Sequence, residues 1–246
     1  MKKPQFFVFS MLLLVVSCQQ APTVDKVVQK VWKHLGGKKA FEKARYVEFV
    51  WEVKKDGQRL AARHHLWDRY TGNYVMTTRN LKSGDSVEVY FNVNKKQGMA
   101  VANGELMKGK VRENLLTLGH DTFINDTYWL LSATKLQDPG VHLELADSVA
   151  DKKQNEAVLH LWFDKVGLTP GDQYWLYVQP DGKINRWKYK LQSGRKGNFN
   201  WLDERDCGMG LIFATRKVSV DNSFEIDFPL VKFSDTMDAA RFTYEP

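Results

Sequence analysis

Tyr46-Val47-Glu48-Phe49-Val50-Trp51-Glu52-Val53 is the stretch on which the fold turns. Val47, Phe49, Trp51 and Val53 fall on one face of an extended chain, Glu48 and Glu52 on the other. A strict two-residue period describes a strand with one buried face. Asp56-Gly57 then reads as a hairpin turn, and residues 59–70 continue as a long strand with Leu60, Ala62, His64 and Leu66 in phase. Thr71-Gly72-Asn73 turns the chain into 74–79. Val87, Val89, Phe91 and Val93 alternate with Glu88, Tyr90 and Asn92, and Asn103-Gly104 marks another hairpin. Further strands are predicted over 141–145, 158–163, 173–178, 184–191, 211–218 and 224–233, with Pro180-Asp181-Gly182 as a turn. Pro229 places the last of them at an edge.

Two regions break this pattern. Thr23 is a helix cap, Asp25 suits a helix N-terminus, and Val24, Val27, Val28, Val31 and Leu35 recur at helical spacing until Gly36-Gly37 stops them. A second short helix is predicted over 39–45. After Lys110, Val111, Leu115 and Leu118 and then Phe123, Tyr128, Leu130 and Leu131 suit one or two helices, parted at Gly119-His120-Asp121 and ended by Asp138-Pro139-Gly140. Many antiparallel strands with few helices predict an α+β fold. The simplest way to bury such strands is a strongly curved antiparallel sheet, an incomplete barrel, with the helices packed on its concave side. No linker interrupts the chain, so residues 23–246 are expected to form one domain.

The N-terminus carries a different signal. Lys2 and Lys3 precede the apolar run 6–16, and Ser17-Cys18 follows it. A basic start, a short apolar stretch and a small residue before the cut describe a secretory signal, and the run falls short of the roughly 20 residues that span a bilayer. Val15-Val16-Ser17-Cys18 resembles the lipobox of bacterial lipoproteins, which implies cleavage before Cys18 and acylation there. Residues 1–17 are then a signal peptide, 18–22 a lipidated tether, and the lipid bilayer a partner through Cys18. Gln19 resembles an outer-membrane sorting signal, so the expected address is the cell envelope, at the outer membrane, facing periplasm or cell surface. The alternative is an ordinary secreted protein with a stray cysteine near the cut.

Charge and cysteine content narrow the function. The full chain has 36 Lys+Arg against 29 Asp+Glu, a formal +7, and losing Lys2 and Lys3 leaves 34 against 29, or +5. Such an excess suits proximity to anionic lipid or wall polymer. The basic residues form no run of five, and no nucleic-acid partner is implied. Cys207 is the only other cysteine, so with Cys18 acylated the fold does not rely on a disulfide, and a zinc site of cysteines is excluded by count.

Signs of catalysis are sparse. His34, His64, His65, His120, His142 and His160 form no spaced metal motif, and no metal or other cofactor is implied. There is no G-x-S-x-G elbow and no phosphate-cradling glycine loop. Cys207 lacks an adjacent base and reads as structural. Acids remain: Asp68, Asp126, Asp138, Asp164, Asp172 and Asp203 lie beside aromatic or glycine-rich segments, and glycosidases use two facing carboxyls.

Three segments concentrate Trp and Tyr beside Asp, Asn or Arg: 65–72, 125–141, and 166–178 with 185–189. They suit either a cavity mouth with ring walls or corners where rings plug a sheet. The run from Asn125 through Trp187 resembles an uncharacterised family of bacterial secreted lipoproteins, found especially in Bacteroidetes-type organisms, and the helix before Gly36-Gly37 agrees. That family is similar in architecture to the LolA/LolB lipoprotein carriers. The resemblance implies an apolar interior holding acyl chains, and an anchored chain would be nearer a LolB-like acceptor than a free shuttle. The expected function is a membrane-anchored, non-enzymatic protein binding an apolar or amphiphilic ligand, a lipid, acyl chain or lipoprotein, in a half-barrel cavity. Expected wall residues are Trp51, Trp67, Tyr70, Tyr128, Trp129, Trp175, Tyr177 and Trp187, with Asp68 and Arg186 as polar contacts. The alternatives are an enzyme acting on envelope polysaccharide through Asp68, Asp126 or Asp172, and a purely structural envelope component.

Overall fold

Fourteen strands pair antiparallel into one sheet in the computed structural model, which describes residues 22–95, 97–146, 149, 151–163 and 171–245. The expected signal peptide (1–17), Cys18, Asp164 and residues 166–170 of the third aromatic segment lie outside these residues. The first meander comprises β1 (Tyr46–Lys55), β2 (Gln58–Asp68), β3 (Asn73–Arg79), β4 (Ser86–Asn92), β5 (Gln97–Ala102) and β6 (Glu105–Leu106). The second comprises β7 (Val141–Leu145), β8 (Ala157–Phe163), β9 (Gln173–Val178), β10 (Ile184–Lys190), β11 (Lys196–Asp206), β12 (Ile212–Ser219), β13 (Phe224–Asp227) and β14 (Val231–Ser234). They meet along β1, whose two halves pair with β14 and β13. β6 and β7 are therefore the two outer edges of the sheet.

Helices α1 (Val24–His34) and α2 (Lys38–Lys43) precede the sheet. Thr23 caps α1, its hydroxyl accepting from the Lys26 N–H, and Val27, Val28, Val31 and Trp32 are buried. Between β6 and β7 lies α3 (Gly109–Leu131), 23 residues or about 34 Å long, which packs against β4 and β5 and reaches β12. The helix does not break at Gly119. A Cβ there would come 2.9 Å from Val89 Cγ1, so the glycine lets α3 settle onto the sheet. A 3-10 turn, Ser132–Thr134, extends it.

The expected incomplete barrel is corrected. The sheet is neither closed nor strongly curled, strand makes up 45% of the chain and helix 22%, and the helices lie on an open sheet rather than in a hollow. The ladder runs from β6 to β7 with no pairing between those edges among the described residues. Two-residue alternation reports which face is buried, and flat and curled sheets satisfy it equally. Strong curl needs repeated bulges, and the pairing registers shift only between Val53 and Lys54 and between Ile184 and Arg186. Pro229 falls in the break between β13 and β14, where Val50 N–H reaches the Leu230 carbonyl. The strand before it, β13, lies between β1 and β12, whereas β14 after it pairs in a ladder with β1 alone among the described residues.

Two apolar clusters form on the covered face. The smaller, Tyr74, Met76, Val89, Phe91 and Ala100, lies under the first half of α3 with Leu115, Leu116 and Phe123. The larger gathers α1, β1 and β8–β14 with the end of α3.

Candidate functional site

The C-terminal half of α3 faces β9 and β10 across a layer of large rings, and the rings leave a cavity of about 380 Å³. Phe123, Tyr128 and Trp129 form its helix wall. Lys135, Asp138, Pro139 and Val141 close one side as the chain leaves α3 for β7, and Phe163, Tyr174, Trp187 and Tyr189 form the sheet wall. Trp187 and Tyr189 share a face of β10 because they are two residues apart. Register sets Tyr174 opposite Tyr189.

Edge-on packing holds the rings apart. Tyr128 meets Trp187 at 5.7 Å and 75° between planes, and Trp129 meets Phe199 at 5.1 Å and 73°. Trp129 and Trp187 are tilted at 4.8 Å. Rings in such arrangements gain from their quadrupoles but do not tile space. The polar groups around the cavity are mostly engaged. Asp172 accepts the Gln192 N–H at 2.8 Å and the Tyr174 hydroxyl at 3.2 Å, while Lys135 and Asp138 lie 3.7 Å apart. Burial raises the Tyr128 phenol well above its ordinary value, helped by Tyr174, Asp172 and Asp138, so it stays a neutral hydrogen-bonding group. The Trp187 indole N–H is buried with no hydrogen-bond partner.

A second polar constellation centres on the buried Asp126 of the same helix. Asp126 receives Arg63 at 2.6 and 2.9 Å, and His65 Nε2 lies 3.0 Å from Asp126 Oδ2. His65 Nδ1 is 2.8 Å from the Tyr74 hydroxyl. Burial pushes the His65 imidazole down, against the pull of Asp126, so it is neutral. A neutral ring with Nε2–H toward Asp126 accepts the Tyr74 hydroxyl at Nδ1. Burial pushes the Asp126 carboxyl upward, but the close His65 ring and the Arg63 guanidinium outweigh it and hold the group below the usual carboxylate range. Arg63 also lies over the Trp51 ring at 3.8 Å. His65, Tyr74 and Asp126 are almost wholly buried, and none lines the cavity. The network ties α3 to β2 and β3, which positions Tyr128 and Trp129.

Of the expected wall residues, Tyr128, Trp129 and Trp187 come together in the cavity. Trp51 lies under Arg63, and Trp67 packs on Phe123 and Tyr74 in the smaller cluster. Asp68 pairs with Arg45 at 2.8 Å and accepts the Tyr70 and Thr71 N–H groups, which closes the turn after β2. Tyr70 is exposed, its hydroxyl donating to the Glu42 carbonyl. Trp175, Tyr177 and Arg186 belong to the opposite face of the sheet. There Trp175 stacks on His160 at 4.9 Å, and Arg186 covers the Tyr177 ring at 3.7 Å while pairing with Asp151. Phe123, Phe163, Tyr174, Tyr189 and Arg195 line the cavity without having been singled out. The 187–189–191 alternation carries a signal for Tyr189 and Leu191.

Cys207 is buried, and burial pushes its thiol up to about 11, which suits a packing role. No three metal-ligating side chains gather among the described residues. No helix among them is long and apolar enough to cross a membrane.

No protein-family model matches the chain, and no curated protein does. Among solved structures it is similar to the crystal structure of a DUF1329 family protein from Desulfovibrio piger, at 11% identity and a TM-score of 0.48, over 91% of this chain and 98% of that one. A likeness this weak does not make the chain a relative of the LolA/LolB carriers.

Proposed function

We propose that the chain is an envelope lipoprotein, anchored through Cys18, that holds an apolar or amphiphilic ligand between α3 and β8–β10 without chemical conversion. One observation carries the reading: seven aromatic side chains from four elements surround a single cavity of about 380 Å³ and fail to fill it. Its volume falls within the range of small-molecule sites. Eight buried methylenes would contribute about 6 kcal/mol before losses, enough for a lipid chain to be a realistic occupant. The lipobox at Cys18 and the lipoprotein resemblance of 125–187 support the envelope address.

The disposition of the acids favours binding over hydrolysis. Asp68 is committed to Arg45, Asp126 is sealed with Arg63 and His65, and Asp172 closes the β10–β11 turn. Calorimetric titration of the delipidated protein with decanol tests the reading. Saturable binding is expected, weakened at least tenfold in Leu191→Trp, which fills the cavity from its rim. Absence of binding of both decanol and decanoate by the folded wild type would end the proposal.

A further inference from the structure

A second cavity adjoins the first. It is a groove of about 530 Å³ over the β10–β11 and β12–β13 turns, and it shares two wall residues with the aromatic cavity, Tyr189 and Arg195. Tyr189 stands opposite Gly197 across the strand pair, and its ring occupies the space that a Cβ at 197 would take. The ring is thus a partition with an apolar compartment on one side and the groove on the other. Arg195 stands at its edge, 3.4 Å from the Tyr189 hydroxyl, and Lys196 also lines the groove.

The charges around the two compartments are unequally answered. Lys135 and Asp138 neutralise each other, and Asp172 is held by a backbone N–H and the Tyr174 hydroxyl. Asp221 is the groove's one acid, and its Oδ1 accepts from the Ser219 and Ser223 hydroxyls and the Ser223 N–H. Arg195 and Lys196 have no carboxylate within ion-pair distance among the described residues, so two cations face one engaged carboxylate. A guanidinium beside an apolar pocket suits a carboxylate or phosphate, which it can grip with two N–H groups.

We infer that the ligand is an anionic amphiphile whose chain enters the aromatic cavity while its head rests on Arg195 at the Tyr189 partition. This rests on the binding function proposed above and specifies its ligand class. The head could belong to a free fatty acid or to an anionic phospholipid, because both present an oxyanion on an apolar chain.

Calorimetry of the delipidated protein with decanoate, decanol and a short-chain lysophosphatidylglycerol, all below their micelle concentrations, tests it. At least one anionic ligand should bind tenfold or more tighter than decanol, and the tighter of the two identifies the source. Arg195→Ala should bring the ratio of anion to alcohol affinity to within about twofold, and Arg195→Lys should keep part of the preference. Arg195 is exposed, so both variants should fold. Equal affinity for all three ligands overturns the inference and leaves the parent reading standing, as does an anion preference that survives in Arg195→Ala. No binding of any ligand overturns both.

Discussion

One helix covers two regions of the sheet that treat buried charge and space in opposite ways. On the side of α3 toward the first meander, Gly119 rests on Val89 and Phe91, and Asp126 is answered by Arg63 and His65 at hydrogen-bonding distance. That region is filled and electrically balanced. On the side toward the second meander, Tyr128 and Trp129 face Tyr174, Trp187 and Tyr189, and a cavity lies among the rings. The larger cluster also contains a buried charge without a counter-charge. Lys217 on β12 is fully buried, its amine over the Trp201 ring at 4.3 Å and bonded to the Ala214 carbonyl. Burial pushes that amine down to about 7. The contrast teaches that rings alone do not decide the packing: edge-on rings occur in both regions, but a residue without a side chain lets α3 settle onto the first meander, whereas the rings facing the second leave a cavity.

Breaking the balanced region should have the largest effect. Asp126→Ala leaves the half-buried Arg63 and the buried His65 without their anion, and the expected loss is about 3 kcal/mol, read from urea unfolding. Its pH signature is acidic. The carboxyl is depressed in the folded state, so its contribution is present above the ordinary carboxylate range and lost as pH falls through the lower folded value. A loss below about 1 kcal/mol would mean that the network does not anchor the helix.

Removing the unanswered charge should have the opposite sign. Lys217→Met is expected to stabilise the protein by roughly 3 kcal/mol at pH 6. The folded amine titrates near 7 and the unfolded one near its ordinary value of about 10.4, so the unfolded state holds the extra proton between them. Wild-type stability should therefore rise with pH across that window while the variant's stays level. Parallel stability curves for the two proteins would remove Lys217 from the account. The smallest effect is expected at the contact itself. Gly119→Leu should cost about 1–3 kcal/mol by overpacking, despite leucine's better helix propensity. A neutral or stabilising result in thermal melts would show that α3 stands off the sheet at this point.

The elements that follow one clean rule were legible in the sequence. Alternation placed β1 and β4, Thr23 and Gly36-Gly37 bounded α1, and Asp56-Gly57, Asn103-Gly104 and Pro180-Asp181-Gly182 marked turns. β11 was hidden because only Phe199 and Trp201 keep the period before the charged end of the strand, where Asp203 stands at φ 55°. Gly119 looked like a break because sequence shows a glycine's helix penalty and not the contact that it permits. Strand β9 explains why the site was only partly legible. In Gln173-Tyr174-Trp175-Leu176-Tyr177-Val178 nearly every residue is apolar, so nothing fixes which alternate set faces α3, and a one-residue change of phase exchanges Trp175 and Tyr177 for Tyr174 and Leu176. The charge pairing at Asp126 joins residues 63 positions apart, which no local pattern reports.

The seam along β1 sets the order of assembly. Each meander can zip from its own hairpins, but the ladders that join them pair residues 46–55 with residues 224–234, nearly the whole described chain apart. Closing so long a loop is entropically costly and comes late. Until the C-terminal strands arrive, the inner side of β1 that would become the middle of the sheet remains an open edge. During folding or refolding, that transient edge is where a neighbouring copy could add a strand, and speed of C-terminal docking rather than final stability would then govern yield.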